Sequence, residues 1–174
     1  MTKISKIMAL TALISLVFGI AVIDNAVAGE RVKGRTVWYT VKWEQINVPG
    51  EEGHIIAASD SKGITSNMEG KTFADGWIIE SVGLWDLNFK AGLGSAHGYG
   101  EWADKNGDKF YWTWKAKLVR GEPWGAYWEG EFELVNGTGR FTGIKGKGTF
   151  GNYSLSKVAP MQAYSDWEIE VELP

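Results

Sequence analysis

A glycine-rich stretch, residues 136–151, constrains the fold more than any other part of the sequence. Six of its sixteen residues are glycine, and aromatic residues stand at Phe141 and Phe150. Strand-like residues lie on both sides of it, in 126–135 and up to 155. Glycines clustered between strand patterns mark tight turns, bulges or places where two backbones approach closely. Neither a Lys-Ser/Thr pair nor a helical pattern follows, which excludes a phosphate-binding loop. The stretch therefore predicts a curved antiparallel sheet.

Alternating apolar and polar residues predict about eight strands and no helix in the rest of the chain. The clearest segments are 109–118, 126–135 and 166–173. The polar face of the first is mostly lysine and that of the second is glutamate. If these two segments pair as a hairpin, cross-strand Lys–Glu neighbours support their register.

The earlier segments 37–45, 53–59, 77–89 and 96–102 show the same alternation less regularly. In the first, the apolar face carries Val37, Tyr39, Val41 and Trp43, and we expect this face to point inward. The second is predicted to end in a turn at 60–63. The third places Trp77, Ile79, Trp85, Leu87 and Phe89 on one side, while apolar residues on its other side predict partial covering of both faces.

Eight antiparallel strands without helices require either two packed sheets or one closed sheet. The glycines favour closure, because bending a sheet into a barrel requires glycine kinks and bulges. Closure also removes exposed strand edges. The predicted fold is all-β, a single antiparallel eight-stranded β-barrel over residues 29–174. The interior of such a barrel is just wide enough to be filled by side chains or to hold one small ligand.

Residues 1–28 have the pattern of a secretory signal peptide. Lys3 and Lys6 precede an apolar run over 7–23, and Ala26-Val27-Ala28 forms a small-residue cleavage site. An uncleaved anchor is the alternative, since the run is near the lower length limit for a membrane span. Cleavage predicts an exported protein, periplasmic or extracellular, with no membrane attachment afterwards. The chain has no cysteine, so a lipoprotein anchor and disulfides are excluded.

The net charge and the arrangement of histidine and acidic residues argue against several classes of function. The formal net charge is −3 and no basic run occurs, which argues against a nucleic-acid or anionic-membrane partner. His54 and His97 have no spacing that would form a zinc site. Residues 104–109 resemble the start of a calcium loop, but lysines occupy the required glycine and glutamate positions. Asn106-Gly107 instead predicts a hairpin turn. We therefore predict no metal site.

The tryptophans are the best candidates for function. All ten fall in residues 29–174, and several share the inward faces of predicted strands. They either pack as a core or form a pocket for a flat or apolar ligand. For the pocket we predict the ligand-binding residues Tyr39, Trp43, His54, Trp85, Trp112, Trp114 and Trp128. A second reading assigns Trp38, Trp102 and Trp124 to polar faces or turns, where exposed rings could stack on sugars.

Glycine and turn motifs carry a resemblance to a known group of barrels. Asn136 to Phe141, with Gly143 and Gly146, matches a G-T-G-x-F…G pattern. Two earlier segments also match, 53–56 with 62–64, and 98–100. Over about 38–155 the chain resembles the calycin-like barrels of the allene oxide cyclase and dirigent group, particularly small exported bacterial members. The resemblance implies an eight-stranded barrel without a metal or organic cofactor, and it leaves a homo-oligomer open. In plant relatives the interior steers cyclisation or radical coupling of an apolar or phenolic substrate.

Three functions follow as hypotheses. The first is an exported barrel that binds a small apolar or aromatic molecule in a Trp-lined interior. The second is a cofactor-independent cyclase or isomerase of the allene oxide cyclase type, with His54, Glu44 or Asp86 as acid–base groups. It requires an ionisable side chain in an apolar cavity. The third is a structural or interaction module whose tryptophans only stabilise it. Whether the protein is an enzyme stays open at this point.

Overall fold

Eight antiparallel strands form one closed barrel in the computed structural model, which describes residues 29–120, 125–155 and 161–174. Each strand pairs with the next along the chain, and the last pairs with the first. This confirms the predicted all-β eight-stranded barrel. The strands are β1 (Glu30–Asn47), β2 (His54–Asn67), β3 (Ile78–Asn88), β4 (Leu93–Ala103), β5 (Lys109–Arg120), β6 (Tyr127–Gly137), β7 (Lys145–Ser154) and β8 (Gln162–Glu172).

A 3-10 turn, Gly139–Phe141, lies between β6 and β7. Within the three described ranges, no helix combines the length and the apolar character needed to span a membrane. The predicted signal peptide, residues 1–28, lies outside these ranges.

Two predicted hairpins are confirmed. Lys115 and Lys117 of β5 lie opposite Glu131 and Glu129 of β6, and Lys115 Nζ is 2.6 Å from Glu131 Oε1. β4 and β5 pair across the predicted Asn-Gly turn, where Gly107 has a φ of +85° and donates its N–H to the Asp104 carbonyl. The Lys–Glu neighbours expected across these two strands are therefore present.

The inward face predicted for β1 is wrong over its first half. Val37 and Tyr39 are 57% and 47% exposed, whereas Thr36 is fully buried and Trp38 packs against the core. A β-bulge between Thr40 and Lys42 then shifts the alternation, so that Trp43 does point inward. An extra residue in one strand changes which residues face the interior, and the extra residue here is Val41, which is exposed.

The predicted turn at 60–63 is also wrong, because β2 continues through it to Asn67. Gly63 lies opposite Trp38, and a Cβ on Gly63 would be 2.5 Å from the Val37 carbonyl oxygen. The glycine permits two strands to approach closely and does not end a strand. On β3, Ile78, Val82 and Leu84 are more than half exposed, so that strand is covered on its inner face alone.

Inward-facing glycines lie directly beneath aromatic rings of the neighbouring strand. Gly100 is opposite Trp112, and a Cβ on Gly100 would be 2.3 Å from two atoms of that indole. Gly98 is likewise opposite Trp114. The same arrangement occurs in the pairs Gly34–Trp167, Gly130–Phe150 and Gly148–Phe132. Because the glycines have no side chain, the rings can lie close against the barrel wall.

One end of the barrel is closed by a compact aromatic cluster, and we call it the packed end. The connections β2–β3, β4–β5 and β6–β7 meet there. Phe73, Trp77, Phe110 and Phe141 lie with ring centroids 5.0 to 6.0 Å apart, and Phe110 is fully buried. We call the opposite end, where the β1–β2 and β3–β4 connections lie, the cavity end.

Candidate functional site

A cavity of about 210 Å³ occupies the interior from the middle of the barrel toward the cavity end. Aromatic side chains form most of its wall, with serine and threonine hydroxyls between them. Eight of the ten tryptophans contribute, namely Trp38, Trp43, Trp85, Trp102, Trp112, Trp114, Trp128 and Trp167. Nearly all of the tryptophans therefore line the cavity, and those that do lie on six of the eight strands.

Hydrogen bonds hold four of these indoles against the wall. Each indole N–H donates to a hydroxyl oxygen on another strand, at 2.8 to 3.0 Å; the pairs are Trp38–Ser165, Trp85–Ser59, Trp114–Ser81 and Trp167–Thr36. The Trp114 ring reaches across Gly98 of β4 to bond Ser81 of β3. An indole fixed at its N–H and resting on glycine cannot readily turn into the centre of the barrel.

Ring contacts organise the part of the cavity nearest its end. Trp85 lies 5.1 Å from Trp128 in a T-shaped arrangement, and 5.7 and 5.9 Å from Trp114 and Trp43. Edge-to-face pairs at these distances are the favoured geometry of aromatic side chains. Trp85 is thus the central ring of a four-indole wall.

Among the described residues, the lining contains no Asp, Glu, His, Lys, Arg or Tyr side chain. An ionised group in such a cavity would lose its hydration without gaining a counter-charge, which is strongly unfavourable. The polar groups present are hydroxyls, indole N–H groups and the amides of Asn152 and Gln162. The site is suited to an uncharged molecule.

Five of the seven predicted ligand-binding residues line this cavity, namely Trp43, Trp85, Trp112, Trp114 and Trp128. Tyr39 does not, because it precedes the bulge in β1 and lies on the outer face. This corrects the expectation that Tyr39 faces the interior.

His54 also lies outside the cavity, at the first position of β2 on the outer side of the barrel. Its Nδ1 is 2.6 Å from Glu51 Oε2, and its Nε2 is 2.6 Å from Asp86 Oδ1. The hydrogen bonds to Glu51 and Asp86 raise the pKa of His54. The histidine therefore links two carboxylates on the outer surface and does not approach the cavity wall.

The other acid–base candidates of the cyclase hypothesis are on the outer surface as well. The side chains of Glu44 and Asp86 are 68% and 57% exposed. None of the three predicted groups points into the cavity, so the described residues give that hypothesis no acid–base group.

The assignment of Trp38 and Trp102 to exposed positions is wrong. Trp102 is 3% exposed, and both rings line the cavity; Trp124 lies outside the described residues. A signal for Trp102 was present, since it alternates with Gly98 and Gly100, which are inward positions opposite Trp114 and Trp112. The hydroxyl residues Thr36, Ser59, Ser81 and Ser165 carried no such signal and were missed.

Asp104, the first residue of the calcium-like motif, has a structural role. Its carboxylate accepts the backbone N–H groups of Asn106 and Asp108 and lies 2.6 Å from Arg140. Burial opposes ionisation, but the N–H groups and the guanidinium outweigh it, and the pKa of Asp104 is lowered. Within the described residues, no group of three or more His, Cys, Asp or Glu side chains is arranged to hold a metal ion.

Comparison with known proteins supports the fold. No protein-family profile and no curated protein matches the chain. The structure is similar to that of the pterocarpan synthase dirigent protein PsPTS1, with a TM-score of 0.50 and 12% identity, over 83% of this chain and 96% of the other. A second pterocarpan synthase dirigent protein, GePTS1, aligns over 87% and 92% of the two chains with a TM-score of 0.48 and 14% identity. At this identity the similarity to PsPTS1 shows a dirigent-like barrel fold alone.

Proposed function

We propose that this protein binds a small, flat, uncharged aromatic or apolar molecule inside its barrel. The observation that carries the proposal is the cavity of about 210 Å³, lined by eight tryptophans and by no ionisable side chain among the described residues. Buried aromatic walls with a few fixed polar groups are typical of small-molecule sites.

The cavity volume limits the size of the molecule. An apolar cavity of about 150 Å³ is enough to bind benzene in a protein core. A cavity of about 210 Å³ is therefore suited to one or two fused rings, roughly ten heavy atoms. Indole walls contribute large apolar contact areas to such a ligand and change little in conformation when it binds.

Matched neutral and charged probes test this function. Naphthalene and 1-naphthoate are added to the purified protein, and tryptophan fluorescence and native mass spectrometry report binding. We expect saturable quenching by naphthalene and at least about 100-fold weaker binding of the carboxylate, because the site has no counter-charge. Absence of saturable binding by neutral aromatics, or equal affinity for both probes, would overturn the proposal and favour the interaction-module hypothesis.

A cavity-filling variant tests whether the molecule binds inside the barrel. Ala116 is buried and lines the cavity, so Ala116→Leu reduces the available volume. Ala58→Leu is the control, since Ala58 is an exposed position on the outer face of β2. We expect naphthalene affinity to fall in the first variant and to remain in the second. Equal loss in both variants would contradict an interior site.

A further inference from the structure

The outer face of strands β1–β4 carries a large exposed apolar surface, which we call the apolar face. It consists of six side chains that are each more than half exposed, namely Val37, Ile64, Ile78, Val82, Leu84 and Tyr99. The strand register brings them together. Ile64 of β2 lies opposite Val37 of β1 and Ile78 of β3. Val82 of β3 lies opposite Tyr99 of β4, and Leu84 follows two positions after Val82 on the same side of its strand.

The outer face of β5 and β6 has a different composition. Over 113–117 and 129–133, its outward positions are threonine, lysine or glutamate. β3 instead has apolar side chains on both sides, since Ile79 is buried inside the barrel while Val82 and Leu84 are exposed outside it. A strand that is apolar on both sides is typical of one that is buried on both faces. The single chain covers only the inner face of β3, so the outer face indicates a contact with a second surface.

The size of the apolar face matches a protein–protein interface. Its six residues expose roughly 700 Å² in total. The largest apolar patch of a typical monomer covers only about 300–600 Å². A stable interface buries about 800 Å² on each partner. A second surface of the same size and character would therefore complete an interface of ordinary dimensions.

The charged residues within the apolar face are compensated inside the chain. A row of charges crosses the middle of the face, where Glu80 of β3 lies opposite Lys62 of β2 and Glu101 of β4. Lys62 Nζ is 2.6 Å from Glu80 Oε1, and Lys109 Nζ is 2.6 Å from Glu101 Oε1. Asp60 lies beside the row, within electrostatic range of Lys62.

This compensation bears on the identity of the partner. Contact between two identical surfaces about a twofold axis brings like groups near each other, so an uncompensated charge would repel its own copy. Both carboxylates of the row already have a lysine partner. The apolar face is therefore electrostatically compatible with a second copy of itself.

We propose that the apolar face is the interface of a dimer, in which the outer faces of β1–β4 of two copies of this chain pack against each other about a twofold axis. Two sheets packed face to face enclose apolar side chains between them. The contact is isologous, so each copy contributes the same six residues. The inference goes beyond the proposed function, because none of these residues lines the cavity and association leaves the interior site unchanged.

Sedimentation equilibrium of the purified protein over roughly 1–100 μM tests the association. We expect twice the mass of one chain, with a Kd of about 10 μM or lower. In the double variant Ile64→Lys/Val82→Lys we expect at least about 100-fold weaker association, because the dimer would bury four ammonium groups without partners. The matched control is Val119→Lys/Val135→Lys. Both of its positions are 55% exposed but lie on β5 and β6, so the control should associate like the natural chain.

Hydroxyl-radical footprinting locates the contact in the natural chain, without any substitution. Tyr99 is 65% exposed in one copy, so its oxidation should fall when the protein concentration is raised above the Kd. Val135, which lies on β6 outside the apolar face, is the internal reference. Its oxidation should not change with concentration.

Several outcomes would overturn the dimer. They are a single-chain mass at every concentration, a mass other than twice that of the chain, and a dimer that persists in Ile64→Lys/Val82→Lys. A monomer that binds phosphatidylcholine vesicles and becomes protected at Tyr99 would assign the apolar face to a lipid surface instead. Should the double variant not fold, unchanged oxidation of Tyr99 in the natural chain is the result that contradicts the interface. Naphthalene binding enters none of these outcomes, so this inference and the proposed function fail independently.

Discussion

Aromatic rings lie at similar spacings in the two ends of the barrel interior, yet one end is packed and the other contains a cavity. At the packed end, Phe73, Phe110 and Phe141 surround Trp77 with centroids 5.0 to 6.0 Å apart. At the cavity end, Trp85 has neighbouring indoles at 5.1 to 5.9 Å. Ring spacing alone therefore does not distinguish a core from a pocket.

What differs is the attachment of the rings to the wall. Phenyl rings have no polar atoms, and they pack against whatever surrounds them. Four indoles of the cavity wall donate their N–H groups to hydroxyls on other strands, and two of these rings, Trp114 and Trp167, rest on glycine. These contacts oppose a collapse that would fill the space between them. The comparison indicates that hydroxyl partners, more than tryptophan content, distinguish the cavity end from the packed end.

The largest loss of stability is expected when one ring is truncated at each end, and this pair of variants tests the comparison. Phe110→Ala should lower the free energy of unfolding by about 3–5 kcal/mol, because a fully buried ring is replaced by a new void. Phe150→Ala, at a partly buried ring that already borders the cavity, should cost less than half as much. Urea denaturation of both variants measures the difference, and equal costs would mean that the cavity end is packed like the other.

A smaller loss of stability is expected where an aromatic ring packs against a glycine. Gly100→Ala should destabilise the protein by about 1–3 kcal/mol, since the three atoms nearest to the added Cβ all belong to Trp112. Trp112→Leu should then cost less in the Gly100→Ala background than in the natural chain, giving a favourable coupling energy in a double-mutant cycle. Additive costs would show that the ring and the glycine do not depend on each other.

The smallest expected change is in the pH dependence of stability, and it concerns His54, which lies outside the cavity. Hydrogen bonds to Glu51 and Asp86 raise its pKa in the folded state. Its stabilising contribution is therefore complete below the unfolded pKa of about 6.5 and is lost as pH rises through the higher folded value. We expect the melting temperature of the natural chain to decrease slightly more than that of His54→Gln between pH 5.5 and 8.5.

His97→Gln is the control for this titration, since His97 is an exposed histidine on the outer face of β4. It shows how much a His→Gln substitution alone changes the melting temperature at each pH. Affinity for naphthalene should not follow the titration of His54, because that side chain does not line the cavity. Parallel changes in affinity and stability would contradict the separation of the two sites.

The sequence predicted the barrel and the β5–β6 part of the cavity wall, since Trp112, Trp114 and Trp128 lie in segments where apolar and polar residues alternate regularly. It predicted the strand β1 but not its inward face, because Thr36 lies inside and Val37 lies outside, the reverse of what their polarity indicates. The bulge at Val41 leaves no mark in the alternation. Serine also occurs on outer faces, as at Ser66 and Ser95, and only the register shows which hydroxyls meet an indole N–H.

In five places an inward glycine is paired with an aromatic ring on the next strand, so the shape of the interior depends on these positions two at a time. Substituting the ring by a small residue would leave a void beside the glycine. Substituting the glycine alone by a larger residue would cause a steric clash with the ring. Exchanging the members of a pair, as in glycine at 112 with tryptophan at 100, moves the indole to the adjacent strand. Related barrels could thus acquire differently shaped interiors while the number of rings, and with it the stability of the wall, stays the same.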